Sequence, residues 1–308
     1  MIRRRCITEG CRRAGQRIGR HRTRAILGSA QRKLRPVGRE ELGSRYIDLV
    51  EAAVGHSLYA YADEVPPGSN PLTRRLRRLA RRAGWVSLRL RAIEQSTSVE
   101  GRGDWPLYGQ SMIGAVRLRS LRECVETVLD GGVPGDLIEA GVWRGGACVL
   151  MRAILAAHGE DERTVWCADS FAGLPPPDLE LHPADRGLRL HREPELAVDR
   201  SEVEATFRRY RLLDERVRFV EGWFSDTLPK LAGHTWSVIR IDGDMYGSTM
   251  DALRNLYPDL APGGFVIVDD YGAVGACRLA VEDFRREAQV TEPLEHIDWT
   301  GVLWRRRT

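Results

Sequence analysis

From Ser120 onward the chain alternates short β-branched runs with stretches of helical periodicity, and that alternation restricts the architecture severely. The runs lie at 136–142, 165–170, 217–223, 236–242 and 264–270, each followed by helical spacing. Ser120–Gly132 reads as an amphipathic helix stopped by glycines. Strands separated by helices pair in parallel, so the pattern predicts a doubly wound α/β sheet. The tail Glu292–Arg307 differs. Its two extended pieces, with a turn near Asp298–Gly301, predict an antiparallel hairpin closing one sheet edge.

In such a sheet, ligands bind outside the carboxyl ends of the strands. The runs ending at Asp242 and at Asp269-Asp270 open onto acids there, and Asp244 follows closely. Like charges at neighbouring strand tips repel one another and raise their own pKa values unless a cation compensates. All-oxygen ligands with no Cys or His nearby favour Mg²⁺, Ca²⁺ or Mn²⁺ over zinc. Such an ion grips an acceptor hydroxyl and lowers its pKa. Helix capping by Asp270 would explain one of these aspartates but not the set.

The segment Gly135–Leu155 has the strand–glycine turn–helix form of a nucleotide cradle, with Gly141, Val142 and Trp143 in the turn. It is not GxGxxG, the spacing that lets backbone approach a pyrophosphate. Glu139 would repel a diphosphate but suits the ammonium of an amino acid, which favours S-adenosylmethionine over NAD. Asp169, followed by Ser170, ends the next strand, where an acid accepts ribose hydroxyls; a turn or N-cap aspartate is the plainer alternative. After the third strand, Phe224 is placed to line a purine, with Ser225 or Asp226 to bond its amino group; capping of a short helix accounts for Asp226 almost as well.

The net charge of +4 hides an asymmetry: residues 1–45 carry 14 Arg/Lys against 3 Glu. A basic tail suggests a nucleic-acid or anionic-surface arm, but this one has no aromatic residues for stacking on bases, and a disordered extension is the simpler expectation. It has no continuous apolar stretch and so is not a secretory signal. No apolar run approaches the length needed to span a bilayer. The six cysteines are scattered without CxxC pairs, which predicts reduced thiols in a cytoplasmic protein.

Three segments are expected: a basic disordered extension at 1–45, a helical cap or lid at 46–110, and a cofactor-binding domain at 111–308. The cap expectation rests on helical spacing at 46–63, a basic helix at Arg74–Glu94 and no strand signal before residue 135. Its Arg-rich face with apolar flanks suggests a homo-oligomer. The loop between Phe171 and Val203, rich in Pro, His and acids, reads as a functional lid or a disordered segment. His182 and His191 lie in it; either can enter a site or stay solvated.

Five segments together resemble the macrocin O-methyltransferase family: Ser111–Leu129, Val133–Gly146, Ala168–Pro175, Arg240–Leu253 and Pro262–Gly272. The resemblance covers Arg45 to Arg306. It implies a class I methyltransferase fold with its seventh strand antiparallel, and transfer of a methyl from S-adenosylmethionine to a deoxysugar hydroxyl on a macrolide or aminocoumarin, with Mg²⁺. It also implies metal ligation by Asp242, Asp269 and Asp270, proton removal by Asp242 or a nearby side chain, the methionine end of the cofactor near Ser111, Met112 and Glu139, and its ribose on Asp169. The chain departs from the family pattern before Arg45, in 65–105 and at Gly247, where relatives carry a larger polar residue. A nicotinamide-dependent sugar oxidoreductase is the competing enzyme class, opposed by the missing GxGxxG and Tyr-x-x-x-Lys. A nucleic-acid-binding protein using 1–45 and 74–92 is the competing non-enzyme class.

Overall fold

The computed structural model describes residues 38–55, 57–58, 61–64, 88–91, 101, 106 and 109–307. Met1–Gly38 is one unit, of which Gly38 alone is described; Arg39–Thr308 is the other. The second unit begins with helix α1 (Arg39–Val54), six residues before the boundary expected at 45. Ile47, Val50 and Val54 recur at helical spacing and are buried in the same core as Leu118, Leu121 and Leu150. Glu51 of α1 bonds Arg119 at 3.0 Å, and Asp48 pairs with Arg122 at 2.6 Å. This helix is therefore part of the fold's body.

Two strands, β1 (Tyr61–Glu64) and β2 (Leu88–Arg91), follow as an antiparallel pair with Tyr61 opposite Arg91. Both lie where helix was expected. Leu88-Arg89-Leu90-Arg91 alternates apolar and charged residues with the period of two that a strand needs, and that local pattern overrides the helical spacing of the longer window. The rest of the expected Arg74–Glu94 helix lies outside the described residues.

The main sheet has seven strands: β3 (Asp136–Ala140), β4 (Val165–Asp169), β5 (Val217–Glu221), β6 (Trp236–Ile241), β7 (Leu260–Val268), β8 (Glu295–His296) and β9 (Val302–Arg305). Their order is β5-β4-β3-β6-β7-β9-β8; the first five are parallel, and β9 runs antiparallel to both β7 and β8. The five expected parallel strands and the closing hairpin are all present. Helices α2 (Gly114–Asp130), α3 (Gly146–His158) and α4 (Arg200–Tyr210) join α1 in one hydrophobic layer with Leu137, Val165 and Phe207. Beyond a single turn, α5 (Phe224–Thr227), helices α6 (Tyr246–Leu256) and α7 (Gly275–Glu287) contribute to the second layer with Trp236, Leu253, Phe284 and Trp304.

The chain winds outward from β3 in both directions, so the switch point lies between β3 and its neighbours. Backbone pairing runs one residue past the strand ends. Gly141 donates to the Ala168 carbonyl at 2.9 Å, Asp242 to Ala140 at 2.8 Å, and Asp269 to Ile241 at 2.9 Å. These bonds align Gly141, Asp169, Asp242 and Asp269 in one row along the rim of a crevice.

Candidate active site

On the β3–β4 side the crevice is built from backbone. Gly141 has φ +95°, and a Cβ there would stand 1.8 Å from the Asp242 carbonyl oxygen, so no other residue fits. Gly146 opens α3 with its N–H on the Gln110 carbonyl at 2.9 Å. Asp169 holds the turn in place: one oxygen accepts from Val142 N at 2.7 Å and Trp143 N at 3.4 Å, the other from Phe171 N at 2.8 Å. Burial raises its pKa even against these amides. Asp169 lines the cavity, as a ribose acceptor must, but here its carboxylate bonds the turn's own backbone.

Glu139, on β3, is 2% exposed. One oxygen is ion-paired with Arg240 and the other accepts the Cys148 thiol at 2.8 Å. Burial pushes its pKa up to about 7, with the Arg240 guanidinium opposing. Ser111, Met112, Val142, Trp143, Ser170, Phe224 and Ser225 all line the same cavity of 410 Å³. Asp226, expected near the purine, does not: it is exposed on the first turn of α5 and outside the cavity lining.

On the β6–β7 side the crevice is built from charge. Carboxylate oxygens of Asp242, Asp244 and Asp270 lie within 4.8 Å of one another. Burial, then the charges of Asp242 and Asp269, push Asp244 up to about 7. Burial, then Asp244 and Asp242, push Asp270 well above the carboxylate range. Asp244 has φ +55°, a left-handed conformation that aspartate tolerates better than most residues, and its N–H donates to Asp270 at 3.2 Å. Asp269, expected with Asp242 and Asp270, is turned elsewhere. It pairs with Arg117 and, at 2.5 Å, with Arg240. The close set is thus Asp242, Asp244 and Asp270, while Asp269 faces two guanidiniums.

Those two arginines are the site residues that sequence reading missed. Arg240, 1% exposed and next to last in β6, bonds Glu139, Asp242 and Asp269 together. Arg117, on α2, pairs with Asp269, bonds Asp298 of the β8–β9 turn at 3.1 Å and donates to the Gly101 carbonyl at 3.0 Å. A signal was present: an arginine inside the fully buried run WSVIRI must be paired, since a lone buried charge is prohibitively expensive. Even with both arginines, seven carboxyl groups (Glu139, Asp169, Asp242, Asp244, Asp251, Asp269 and Asp270) line the crevice against two guanidiniums. It is suited to cationic guests. An all-oxygen donor set of this kind fits a hard divalent cation. The cradle likewise fits a small cationic cofactor.

The long segment 172–199 is ordered into three 3₁₀ turns, Pro183–Asp185, Leu190–Arg192 and Pro194–Leu196. It lines the cavity with Gly173, Leu174, Pro175, Leu190 and Leu196, so of the two expectations the covering role is the one its geometry matches. His182 packs on Tyr246, with ring centroids 5.6 Å apart; His191 is half-buried, and neither lines the cavity.

Strand order 5-4-3-6-7-9-8, a glycine turn after the central strand and an acidic row at the strand tips define a class I methyltransferase. Residues 43–306 match the model of the macrocin-O-methyltransferase (TylF) family, and the chain belongs to that family. It is an O-methyltransferase, which sets aside the oxidoreductase and nucleic-acid-binding alternatives as its class. It is 55% identical over 203 residues to 8-demethyl-8-(2,3-dimethoxy-α-L-rhamnosyl)-tetracenomycin-C 4'-O-methyltransferase of Streptomyces olivaceus, covering 66% of this chain and 77% of that one. It is 42% identical to mycinamicin III 3''-O-methyltransferase of Micromonospora griseorubida over 85% of this chain and 96% of that one. The solved structure of the O-methyltransferase NovP superposes with a TM-score of 0.74 at 42% identity, over 86% of this chain and all of that one (100%).

Proposed function

We propose that this protein transfers the methyl of S-adenosylmethionine to a sugar hydroxyl of a glycosylated secondary metabolite, with the help of a divalent cation such as Mg²⁺. The observation that carries the reading is the convergence of the glycine turn and the Asp242–Asp244–Asp270 cluster on one cavity. The names of the relatives, all acting on decorated natural products, support the acceptor class. Four buried free thiols, Cys124, Cys148, Cys167 and Cys277, support a reducing, cytoplasmic setting.

When bound, the cofactor supplies an electrophilic sulfonium methyl and the cation a Lewis acid for the acceptor oxygen. Glu139 and the turn from Gly141 to Gly146 would hold the donor end, and Asp242, Asp244 and Asp270 would hold the cation and present the acceptor hydroxyl. A carboxylate of the cluster would take the hydroxyl proton as the O–C bond forms and the S–C bond breaks. Asp242 is the assigned acceptor, with Asp244 beside it in the cluster as the alternative. Arg240 holds Asp242 and Asp269 in place through ion pairs. Direct displacement asks little covalent help of the protein, so positioning and charge compensation dominate.

The test incubates the protein with S-adenosylmethionine and 8-demethyl-8-(2,3-dimethoxy-α-L-rhamnosyl)-tetracenomycin C, or demethyldecarbamoylnovobiocin, after which a Streptomyces niveus O-methyltransferase 52% identical over 208 residues is named, with Mg²⁺ or with EDTA. Mass spectrometry showing one added methylene unit only with Mg²⁺ supports the reading. Undiminished turnover in EDTA refutes the role given to the acidic cluster. Calorimetry with S-adenosylhomocysteine should show binding that survives EDTA.

A further inference from the structure

Helix α6 begins two residues after Asp244, yet its own N-cap residue, Met245, supplies no side-chain acceptor. The cap comes from far away in sequence. Asp185, 0% exposed in the 172–199 strap, accepts from Tyr246 N at 2.6 Å and Gly247 N at 3.3 Å. A second contact lies beside it. A Cβ on Gly247 would stand 2.6 Å from the His182 ring, so the bare glycine is what lets the ring sit on the helix. Both ends of the strap are fastened separately, on the donor side: the Trp143 indole donates to the Glu195 carbonyl at 2.9 Å, and Ser170 Oγ to the Gly173 carbonyl at 2.6 Å.

We propose that Asp185 is a positioning residue for the acceptor side of the site: its buried carboxylate caps α6 and locks the strap and the Asp242–Asp244 turn into one register. This rests on the methyl-transfer reading above. A strap tied at its middle as well as at both ends keeps the Leu190 and Leu196 wall of the cavity in place. Releasing the Asp185 tie loosens that wall and leaves the glycine cradle intact.

The full-length chain and its Asp185→Ala, Asp185→Asn and Gly247→Ala variants are compared in three ways: trypsin cleavage after Arg186, Arg189 and Arg192, S-adenosylhomocysteine affinity by calorimetry, and KM against kcat for the rhamnosyl-tetracenomycin acceptor. Asp185→Ala should speed strap cleavage and raise the acceptor KM, each roughly tenfold, the size of a lost cap, with S-adenosylhomocysteine affinity little changed. Asp185→Asn, which keeps one amide acceptor, should fall between. Gly247→Ala, which displaces only His182, should give a smaller rise in cleavage. Unchanged cleavage in a folded Asp185→Ala protein overturns the proposal. So does a loss of S-adenosylhomocysteine affinity that parallels the cleavage, or an Asp185→Asn variant no better than Asp185→Ala. If Asp185→Ala does not fold, the two milder variants carry the same readouts. If the unaltered protein methylates neither acceptor, the acceptor assignment fails, while the cleavage and calorimetric arms still decide the role of Asp185.

Discussion

The two walls of the crevice solve different problems by different means. The β3–β4 wall is local: one glycine with a close backbone approach, one aspartate bonding nearby amides, and a helix N-terminus. The β6–β7 wall is assembled from α2, β3, β6, β7 and the β8–β9 turn, through Arg117 and Arg240 bridging carboxylates far apart in sequence. A backbone-built wall loses function when one atom is added. A charge-built wall loses it when one charge is removed, because the partners left behind are buried.

The largest expected effect falls on the charged wall. Asp242→Asn should lower kcat by about 10³-fold, the range for losing a positioned proton acceptor, with S-adenosylhomocysteine affinity retained by calorimetry. Loss of cofactor affinity instead would move Asp242 to the donor side and erase the division between the walls. Next, Arg240→Met leaves Glu139 and Asp269 buried without this partner, and should cost about 3–5 kcal/mol in urea unfolding. Adding Glu139→Gln to that variant should recover part of the loss. If the double variant is no more stable than the single one, the two residues are not coupled as drawn.

A third prediction uses protonation. Glu139 has a pKa near 7 in the folded protein against an ordinary 4.5, so between those values the folded state binds a proton that the unfolded chain has released. Stability contributed by this group therefore falls as pH rises from about 4.5 to 7, by at most about 1.4 kcal/mol per pH unit, and is level above. Urea midpoints of the unaltered protein and Glu139→Gln, compared across that window, check it. The slope of the variant should be shallower; equal slopes would mean that Arg240 keeps Glu139 ionised throughout.

How much of this was legible follows the same division. The parallel strands, the closing hairpin and the glycine turn were readable because each is written in contiguous residues. The acids at the strand tips were readable too, since a strand's end fixes where its next residue lies. What was not readable is pairing between distant elements. Nothing local says that Asp269 faces two arginines while Asp244 turns toward Asp270, or that Asp185 caps a helix 61 residues on. The β1–β2 pair was missed for another reason: Leu88–Arg91 is short enough for helical spacing in the surrounding window to mask its alternation.

The smallest effect expected is the most informative about the backbone-built wall. Asp169 bonds three amides of the turn and its neighbour, whereas its position at the tip of β4 suits a ribose acceptor. Asp169→Asn keeps the size and one acceptor oxygen but sets an NH₂ group against at least one backbone N–H. If the carboxylate chiefly holds the turn, the cofactor-free protein should lose about 1–2 kcal/mol of stability, and S-adenosylhomocysteine affinity should fall only modestly. If it chiefly reads the ribose, stability without ligand should be untouched and the whole effect should appear as affinity. The first outcome makes the donor wall self-supporting before any ligand arrives. The second makes it a wall that the ligand completes, and so more like its charged counterpart than the backbone geometry suggests.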